Sequence, residues 1–486
     1  MSIQNQAYAE NLIQPHTVHP LCVDLDGTLV KSDTLMDSLL LLVRIHPLEA
    51  LKVPLWVLEG KAALKAKVTS IVSLDVAHLP YNKSLLHYLQ AQRAAGREIY
   101  LATGADRGIA VRVADHLGIF TDVLASDGST NLTGDKKLAG LGHRFQNGFD
   151  YVGNATPDVQ LLAEAGEAML ANPDWSLSAL LKTRKITISR TFEDRKPWFK
   201  ALLKAVRPHQ WAKNILIFLP LLLAHALRPQ AIAEVAMAFA CFSLCASANY
   251  IVNDLLDIEA DRRHPKKRLR PFAAGDLKAA IGIAVALLLY FVAFLGALFL
   301  PGGFLAWLSL YAVATSAYSF YLKRKVLVDV IVLSGLYTLR LLAGGAAAQV
   351  KISPWLAGFS VFLFFSLALV KRFSELQNNL AQGLAPTGGR GYILSDLEQL
   401  RSFGTASAYS AVVVFALYIG SHEIVSLYQH AARMWLIVPL LILWLSRVWL
   451  LAGRGELNED PVIFAVTDKM SLIMGLCVMT IALLAI

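Results

Sequence analysis

Cysteine is scarce in this 486-residue chain: Cys22, Cys241, Cys245 and Cys477 are all there is. None are spaced as metal ligands, and Cys241 with Cys245 lies inside an apolar run, so they read as small apolar residues and exclude a disulfide framework. Charge is also sparse, at 17% of residues, with 36 acids against 45 Lys and Arg for a formal charge of +9. No soluble stretch interleaves bases with aromatics, which argues against nucleic acid as a partner. The basic excess reads instead as loops beside an anionic leaflet and as sites for phosphate-bearing substrates. Long apolar runs are missing before about residue 210, and the polar stretch Met1 to Pro20 has no signal-peptide core. Beyond that point they dominate: 56% hydrophobic content and a mean hydropathy of +0.50 are too apolar for an ordinary soluble enzyme. The expected division is a soluble α/β part, 1–195, and an all-α membrane part, 196–486.

The membrane part is organised around Asn253-Asp254-Leu255-Leu256-Asp257-Ile258-Glu259-Ala260-Asp261, which runs into the basic stretch Arg262 to Arg270. It closes an apolar run, Ile232 to Val252, long enough at about 1.5 Å per residue to cross a bilayer. On a helix Asn253, Asp257 and Asp261 share one face, with Asp254 at its border. Carboxylates at a helix C-terminus oppose the macrodipole and repel one another, so they need a cation. Magnesium bridging carboxylates to substrate phosphates supplies one; pairing with the basic run behind is the alternative. Trp198 to Asn214 mixes aromatics with bases, as an interfacial segment does. About nine polytopic spans are expected, near 212–227, 232–254, 279–299, 303–321, 326–347, 354–370, 405–426, 432–451 and 470–486. Bases gather after the even-numbered spans: Arg262 to Arg270, Lys323 to Lys325, Lys371 and Arg372 with Arg390 and Arg401, and Arg454 with Lys469. The positive-inside rule then places these loops and the soluble part in the cytoplasm of a bacterial-type inner membrane. Gln377 to Gly391 reads as a loop or a cover over the site.

In the soluble part, Val23-Asp24-Leu25-Asp26-Gly27-Thr28 reads as a strand entering a glycine turn with two acids at its mouth. Glu98 to Ala105 reads as a second strand ending in Thr103-Gly104, and Phe149 to Asn154 as a third ending in Gly153-Asn154. Helical stretches between them make an α/β unit with ligands at the strand carboxyl ends. Ser32 to about Gln92 is helical without a clear strand, which suits an inserted cap. Taken in order, these motifs resemble the haloacid dehalogenase-like phosphatases, with a Rossmann-type sheet and a helical cap. That resemblance implies Asp24 as the nucleophile and Asp26 as the general acid/base. It implies Thr103 on the phosphoryl oxygens and Lys137 neutralising the phosphate, with Lys136 a near rival. Asp24, Asp26 and Asp158 would hold magnesium. Asn154 departs from the pattern, standing where a carboxylate normally serves the metal, so a degenerate fold kept for docking or regulation is the competing reading.

The spans with the acidic motif after the second resemble the UbiA-type prenyltransferase superfamily, whose members bind a diphosphate through magnesium. The second acidic motif expected after the sixth span is replaced by Lys371-Arg372-Phe373-Ser374-Glu375-Leu376, so a metal-binding arm is lost and anion-binding charge is gained. Several cations suit a donor and acceptor that both carry phosphate: Lys213 with Asn214 beside it, Lys323, Arg340, Lys371 and Arg372. Arg340 within an apolar span defaults to a functional reading; pairing with Asp329 to fix helix packing is the other. A narrower resemblance, to decaprenyl-phosphate phosphoribosyltransferase-like enzymes, rests on several strings. These are Arg207 to Asn214, the acidic motif through Arg270-Pro271-Phe272-Ala273-Ala274-Gly275, Lys323 with Val328-Asp329-Val330, Lys371 to Leu376, and Asp460-Pro461 followed by Thr467-Asp468. It implies transfer of 5-phosphoribose from phosphoribosyl pyrophosphate to a polyprenyl phosphate, with Asp254 and Asp257 catalytic and magnesium held by Asn253, Asp254, Asp257 and Asp261. The soluble part would then remove the product's 5-phosphate. The alternative is a prenyltransferase joining a polyprenyl diphosphate to a small aromatic acceptor.

Overall fold

The computed structural model describes residues 19–381, 391–457 and 461–486. The polar leader before residue 19, Arg390, Asp460 and most of the Gln377 to Gly391 segment lie outside these. Two compact units divide the chain, Met1–Val206 with Ile251–Val285 and Arg207–Tyr250 with Ala286–Ile486. The acidic motif therefore groups with the soluble part, where a division at 195 had set it apart.

The first unit is built on a parallel sheet of β1 (Leu21–Val23), β2 (Ile99–Asp106), β3 (Asp122–Ser126), β4 (Asp150–Gly153), β5 (Ala168–Ala171) and β6 (Arg190–Phe192), in the order β3-β2-β1-β4-β5-β6. A strand covered on both faces is apolar throughout, and β1 is fully buried. Its pleat sends Leu21 and Val23 into a cluster with Leu85, Leu89, Ile109 and Val113, and Cys22 into the opposite one with Tyr151, Leu141 and Leu161. Three strands were expected and six form. The additional β3, β5 and β6 are three to five residues long, too short to display a period. The helices between β1 and β2 begin with α1 (Thr34–Ile45), capped by Asp33 accepting the Met36 N–H. They continue through α2 (Lys61–Ile71) to Lys83–Ala94 and carry a small core of their own around Leu42, Trp56, Leu64 and Val68.

Among the described residues six helices are long and apolar enough to cross a membrane: Pro229–Leu256, Ala279–Ala297, Val328–Ala348, Pro354–Asn378, Leu394–Ile419 and Ala431–Gly453. The expected count of nine is not confirmed among these residues. The stretch 212–227 is instead a 3-10 segment, Pro208–Phe218, followed by the short helix Leu219–Leu223. Pro220 brings no N–H to a continuous helix, and left-handed Arg207 and His225 bracket the segment. The run 303–321 forms the 19-residue helix Gly302–Phe320, made less apolar by Ser309, Thr315, Ser316 and Ser319. The last run forms a 17-residue helix, Lys469–Ala485.

A buried ion pair ties the second unit together. Arg372, 2% exposed, donates from Nε to Asp329 Oδ2 at 2.6 Å, from Nη1 to Glu375 at 2.8 Å and from Nη2 to the Tyr318 hydroxyl at 3.1 Å. The Tyr392 hydroxyl donates to the other Asp329 oxygen at 2.5 Å. Asp329→Asn leaves the guanidinium short of its buried counter-charge, which should destabilise the protein by roughly 3 kcal/mol. Thermal unfolding in detergent would register this as a lower Tm, and Asp329→Leu with Arg372→Met should recover most of the loss.

Candidate active sites

Asp24 follows directly on β1, and its N–H donates to Val152 O on β4 at 3.0 Å. Lys137 comes from the first turn of α3 (Asp135–Arg144) and is buried. Its Nζ donates to Asp24 Oδ1 at 2.9 Å, to the Tyr151 hydroxyl at 3.0 Å and to Asp158 Oδ1 at 3.5 Å. Tyr151 donates to Asp158 Oδ1 at 2.9 Å, while Asp158 Oδ2 accepts the N–H groups of Asn154 and Ala155 at 3.2 Å each. Asp26 stands apart from this cluster, accepting the Thr34 N–H at 2.8 Å where α1 begins. Thr103 is fully buried and accepts the Ala105 N–H at 3.0 Å. Between the two rival lysines the geometry selects Lys137, since Lys136 faces solvent.

Burial pushes the Asp24 carboxyl up to about 6, with Lys137 opposing the rise and Asp158 adding to it. Burial, then Asp33, holds Asp26 well above the usual carboxylate range, and a protonated carboxyl is the form a general acid needs. Burial acts against the Lys137 charge, yet Asp24 and Asp158 together keep its pKa raised. The donor set also bears on metal binding. Asn154 Oδ1 is buried with no partner, and a Cβ on left-handed Gly27 would strike the Asn154 amide. An unpartnered acceptor oxygen beside the nucleophile loop fits a cation, as a neutral ligand.

The acidic motif is arranged differently from the expected stripe. The spanning helix α4 (Pro229–Leu256) stops before Asp257, and α5 (Ile258–Arg263) starts after it. The backbone ladder nevertheless runs on through the turn, the Asp257 N–H donating to Asn253 O at 3.0 Å and the Asp261 N–H to Asp257 O at 2.8 Å. Asp254 and Asp261, both buried, converge on Arg270 Nη1 at 3.0 and 2.7 Å, and Asp257 pairs with Arg44 Nη2 at 2.9 Å. Burial pushes Asp261 up to about 6, with Arg270 opposing. Among the described residues no three His, Cys, Asp or Glu side chains are grouped as metal ligands. Two buried carboxylates converging on one cationic centre do fit a divalent ion, whose remaining ligands would come from a substrate.

In the second unit, Asn214 links Ser243 to Arg340, donating to Ser243 Oγ at 3.0 Å and accepting from Arg340 Nε at 2.8 Å. Arg340 also donates to Leu336 O at 2.6 Å and to the Tyr311 hydroxyl at 3.3 Å. Its guanidinium lies 5.0–5.7 Å from the rings of Tyr311, Tyr337 and Phe242. The alternative pairing of Arg340 with Asp329 is not made, because Arg372 holds that carboxylate. A buried cation partnered by aromatics and neutral oxygens retains charge for an anion. Arg372 has each guanidinium nitrogen committed and serves packing. Lys213 is buried, and Lys323 and Lys371 are half-buried.

Residues 215–473 match the UbiA prenyltransferase family. The chain belongs to that family. It is 37% identical to the uncharacterized protein y4nM of Sinorhizobium fredii, over 94% of this chain and 89% of that one. It is 35% identical to the decaprenyl-phosphate phosphoribosyltransferase of Mycobacterium tuberculosis, over 45% of this chain and 73% of the relative. Among solved structures, a HAD family hydrolase of Salmonella enterica serovar Typhi aligns over 39% of this chain and 76% of its own, at 13% identity and TM-score 0.27.

This UbiA family member is thus a multi-pass membrane protein with a parallel α/β region. Sequence reasoning singled out neither Arg44 nor Lys65. Arg44 meets an acid distant in the chain, and Lys65 on α2 donates to Gly104 O at 2.5 Å and Asn131 Oδ1 at 2.8 Å. Burial lowers the Lys65 pKa. Arg262 and Arg270 belong to the basic run that was the alternative partner for the acids: Arg270 does pair with Asp254 and Asp261, whereas Arg262 pairs with distant Asp37. Lys137→Met should lower hydrolysis of a soluble phosphate ester by about 100-fold, the scale on which an electrostatic contact to a reacting phosphate acts. Lys136→Met should stay near wild type, and steady-state rates with a chromogenic ester compare the two directly.

Proposed function

We propose that this protein transfers 5-phosphoribose from phosphoribosyl pyrophosphate to a polyprenyl phosphate and then removes the 5-phosphate from the lipid product. The identity to decaprenyl-phosphate phosphoribosyltransferases carries the first step, supported by the loss of the second acidic motif and by the carboxylate-free surroundings of Arg340. The Asp24–Lys137–Asp158 cluster carries the second.

In the transfer, the bond from ribose C1 to pyrophosphate breaks with its electron pair leaving on pyrophosphate, and a lipid phosphate oxygen bonds to C1. The acceptor is already an anion, so no strong base is required. Asp254 and Asp261, with Asn253 and Asp257, would hold magnesium, which when bound supplies Lewis-acid stabilisation of the leaving pyrophosphate. Lys213, Lys323, Lys371 and Arg340 orient phosphates, a positional and electrostatic contribution. Asn214 holds Arg340.

In the hydrolysis, Asp24 attacks phosphorus while Asp26 protonates ribose O5 as the O–P bond breaks. Asp26 then takes a proton from the water that releases phosphate from Asp24. Lys137 neutralises the charge on Asp24 and the phosphoryl group, and Thr103 binds its oxygens. Asp24, Asp158 and the Asn154 oxygen would hold the second magnesium. Both reactions lie on the cytoplasmic face of a bacterial-type inner membrane.

Full-length protein in detergent, given radiolabelled phosphoribosyl pyrophosphate and polyprenyl phosphate, should move label into an organic-extractable lipid, and chelation of magnesium should abolish it. Asp24→Asn should leave transfer intact while the extracted lipid retains its 5-phosphate by mass spectrometry. Label entering lipid only from an isoprenyl diphosphate would refute the transfer. A wild-type product still carrying the 5-phosphate would refute the hydrolysis.

A further inference from the structure

The first compact unit joins the acidic motif to the helices that follow the nucleophile loop, and it does so through two arginines that cross in opposite directions. Arg44 lies in the last turn of α1 and reaches Asp257 between α4 and α5. Arg262 lies on α5 and pairs with Asp37 in the first turn of α1 at 2.8 Å, both side chains 3% exposed or less. It also donates to Ser32 Oγ at 3.0 Å and to Ala273 O at 3.2 Å. Ser32 Oγ donates to Asp37 at 2.7 Å, and Ser32 O accepts the Gly27 N–H at 3.2 Å. The residues so clamped, Ser32 to Asp37, include Thr34, whose N–H holds Asp26. Behind the clamp, left-handed Gly275 lies so close that a Cβ there would come within 2.6 Å of Lys31 Cβ.

We propose that Arg44 and Arg262 are positioning residues exchanged between the two reactions. Arg44, borne by the phosphatase part, orients Asp257 for phosphoribosyl transfer. Arg262, borne by the acidic motif of the transferase, orients Asp26 for hydrolysis through Ser32, Asp37 and Thr34. The inference rests on the two activities assigned above and adds that neither site is complete without a side chain from the other part of the chain.

Two features favour exchange over plain adhesion. Each arginine meets its carboxylate beside a reactive group: Asp257 lies within the acidic motif itself, and Asp37 sits in the turn that presents the Thr34 N–H. A single rigid element also bears both ends, since α1 has Thr34 at its first residue and Arg44 in its last turn.

The experiment measures both activities on full-length protein in detergent, transfer into lipid and hydrolysis of a soluble phosphate ester. Arg44→Gln should lower transfer by about tenfold, chiefly as a raised KM for phosphoribosyl pyrophosphate, with ester hydrolysis within about twofold of wild type. Arg262→Gln should lower ester hydrolysis by about tenfold in kcat and shift the limb of its pH profile that reports the general acid. Arg44→Lys should restore much of the transfer, which bulk destabilisation would not allow. Because Arg262→Gln leaves Asp37 buried without its partner, Arg262→Gln with Asp37→Asn serves as the folded control. That double variant should melt near wild type yet still hydrolyse slowly. If each arginine affected only the activity of the part that bears it, or the double variant hydrolysed at the wild-type rate, the exchange would be overturned. A wild-type protein inert in transfer would refute the transferase reading, and the Arg262 variants would still decide the hydrolytic half.

Discussion

Buried carboxylates at the foot of a membrane helix require a cation, and the first unit is assembled around meeting that need. Asp254 and Asp261 share Arg270, and Asp257 takes Arg44. Breaking such a pair from one side costs about 3–5 kcal/mol because the remaining charge stays buried. These pairs therefore fix where residues 251–285 can rest, and that segment clusters with the parallel sheet. The arrangement also leaves an exchangeable charge between Asp254 and Asp261, since a guanidinium and a hydrated divalent ion satisfy the same two oxygens.

The parts of the structure that could be read in sequence are those encoded by neighbours in the chain. The strand read from Val23 into the glycine turn forms a little earlier, as Leu21–Val23, with Asp24 and Asp26 in the turn that follows it. Lys137 was narrowed to two positions, and helix phase decided: on α3 residue 137 points inward to Asp24 while residue 136 points out. The acidic stripe divides in a way that periodicity does not contain. The helix ends at Leu256 and restarts at Ile258, and the acids take different counter-ions, Arg44 for Asp257 and Arg270 for Asp254 and Asp261. The counter-ion of Asp329 was illegible for a similar reason. Whether Asp329 meets Arg340 on its own helix or Arg372 on the next one depends on how the two successive helices pack, which the sequence pattern does not contain. The stretch 212–227 had the composition of a span, yet Pro220 and the left-handed residues beside it divide the segment.

The contrast between Arg340 and Arg372 separates two uses of a buried cation. Arg372 is charge-compensated: it donates to two carboxylates and a phenol, and an incoming phosphate would compete with a pair that already offsets its desolvation. Arg340 is surrounded by ring faces, an amide oxygen, a carbonyl and a phenol, none of which carries formal charge. An anion arriving near Arg340 gains attraction without first breaking an ion pair. Apolar position alone did not distinguish the two arginines; among the described residues, the absence of a carboxylate from the hydrogen-bond partners of Arg340 does.

The neutral Asn154 fits the same electrostatic reasoning in the cluster of Asp24, Lys137 and Asp158. The ionisable side chains of the cluster are Asp24, Asp158 and Lys137. A carboxylate at position 154 would bind magnesium more strongly, but it would also repel the dianion of a phosphate monoester. An amide oxygen at that position weakens the hold on metal and lowers the repulsion toward substrate. An enzyme that meets its substrate at low free concentration would suffer from weak metal binding and slow encounter together. Under the function proposed above, a phosphatase joined to the catalyst that makes its substrate would work at a high effective concentration of that substrate, and so would tolerate the weaker metal site and keep the gain in substrate charge matching.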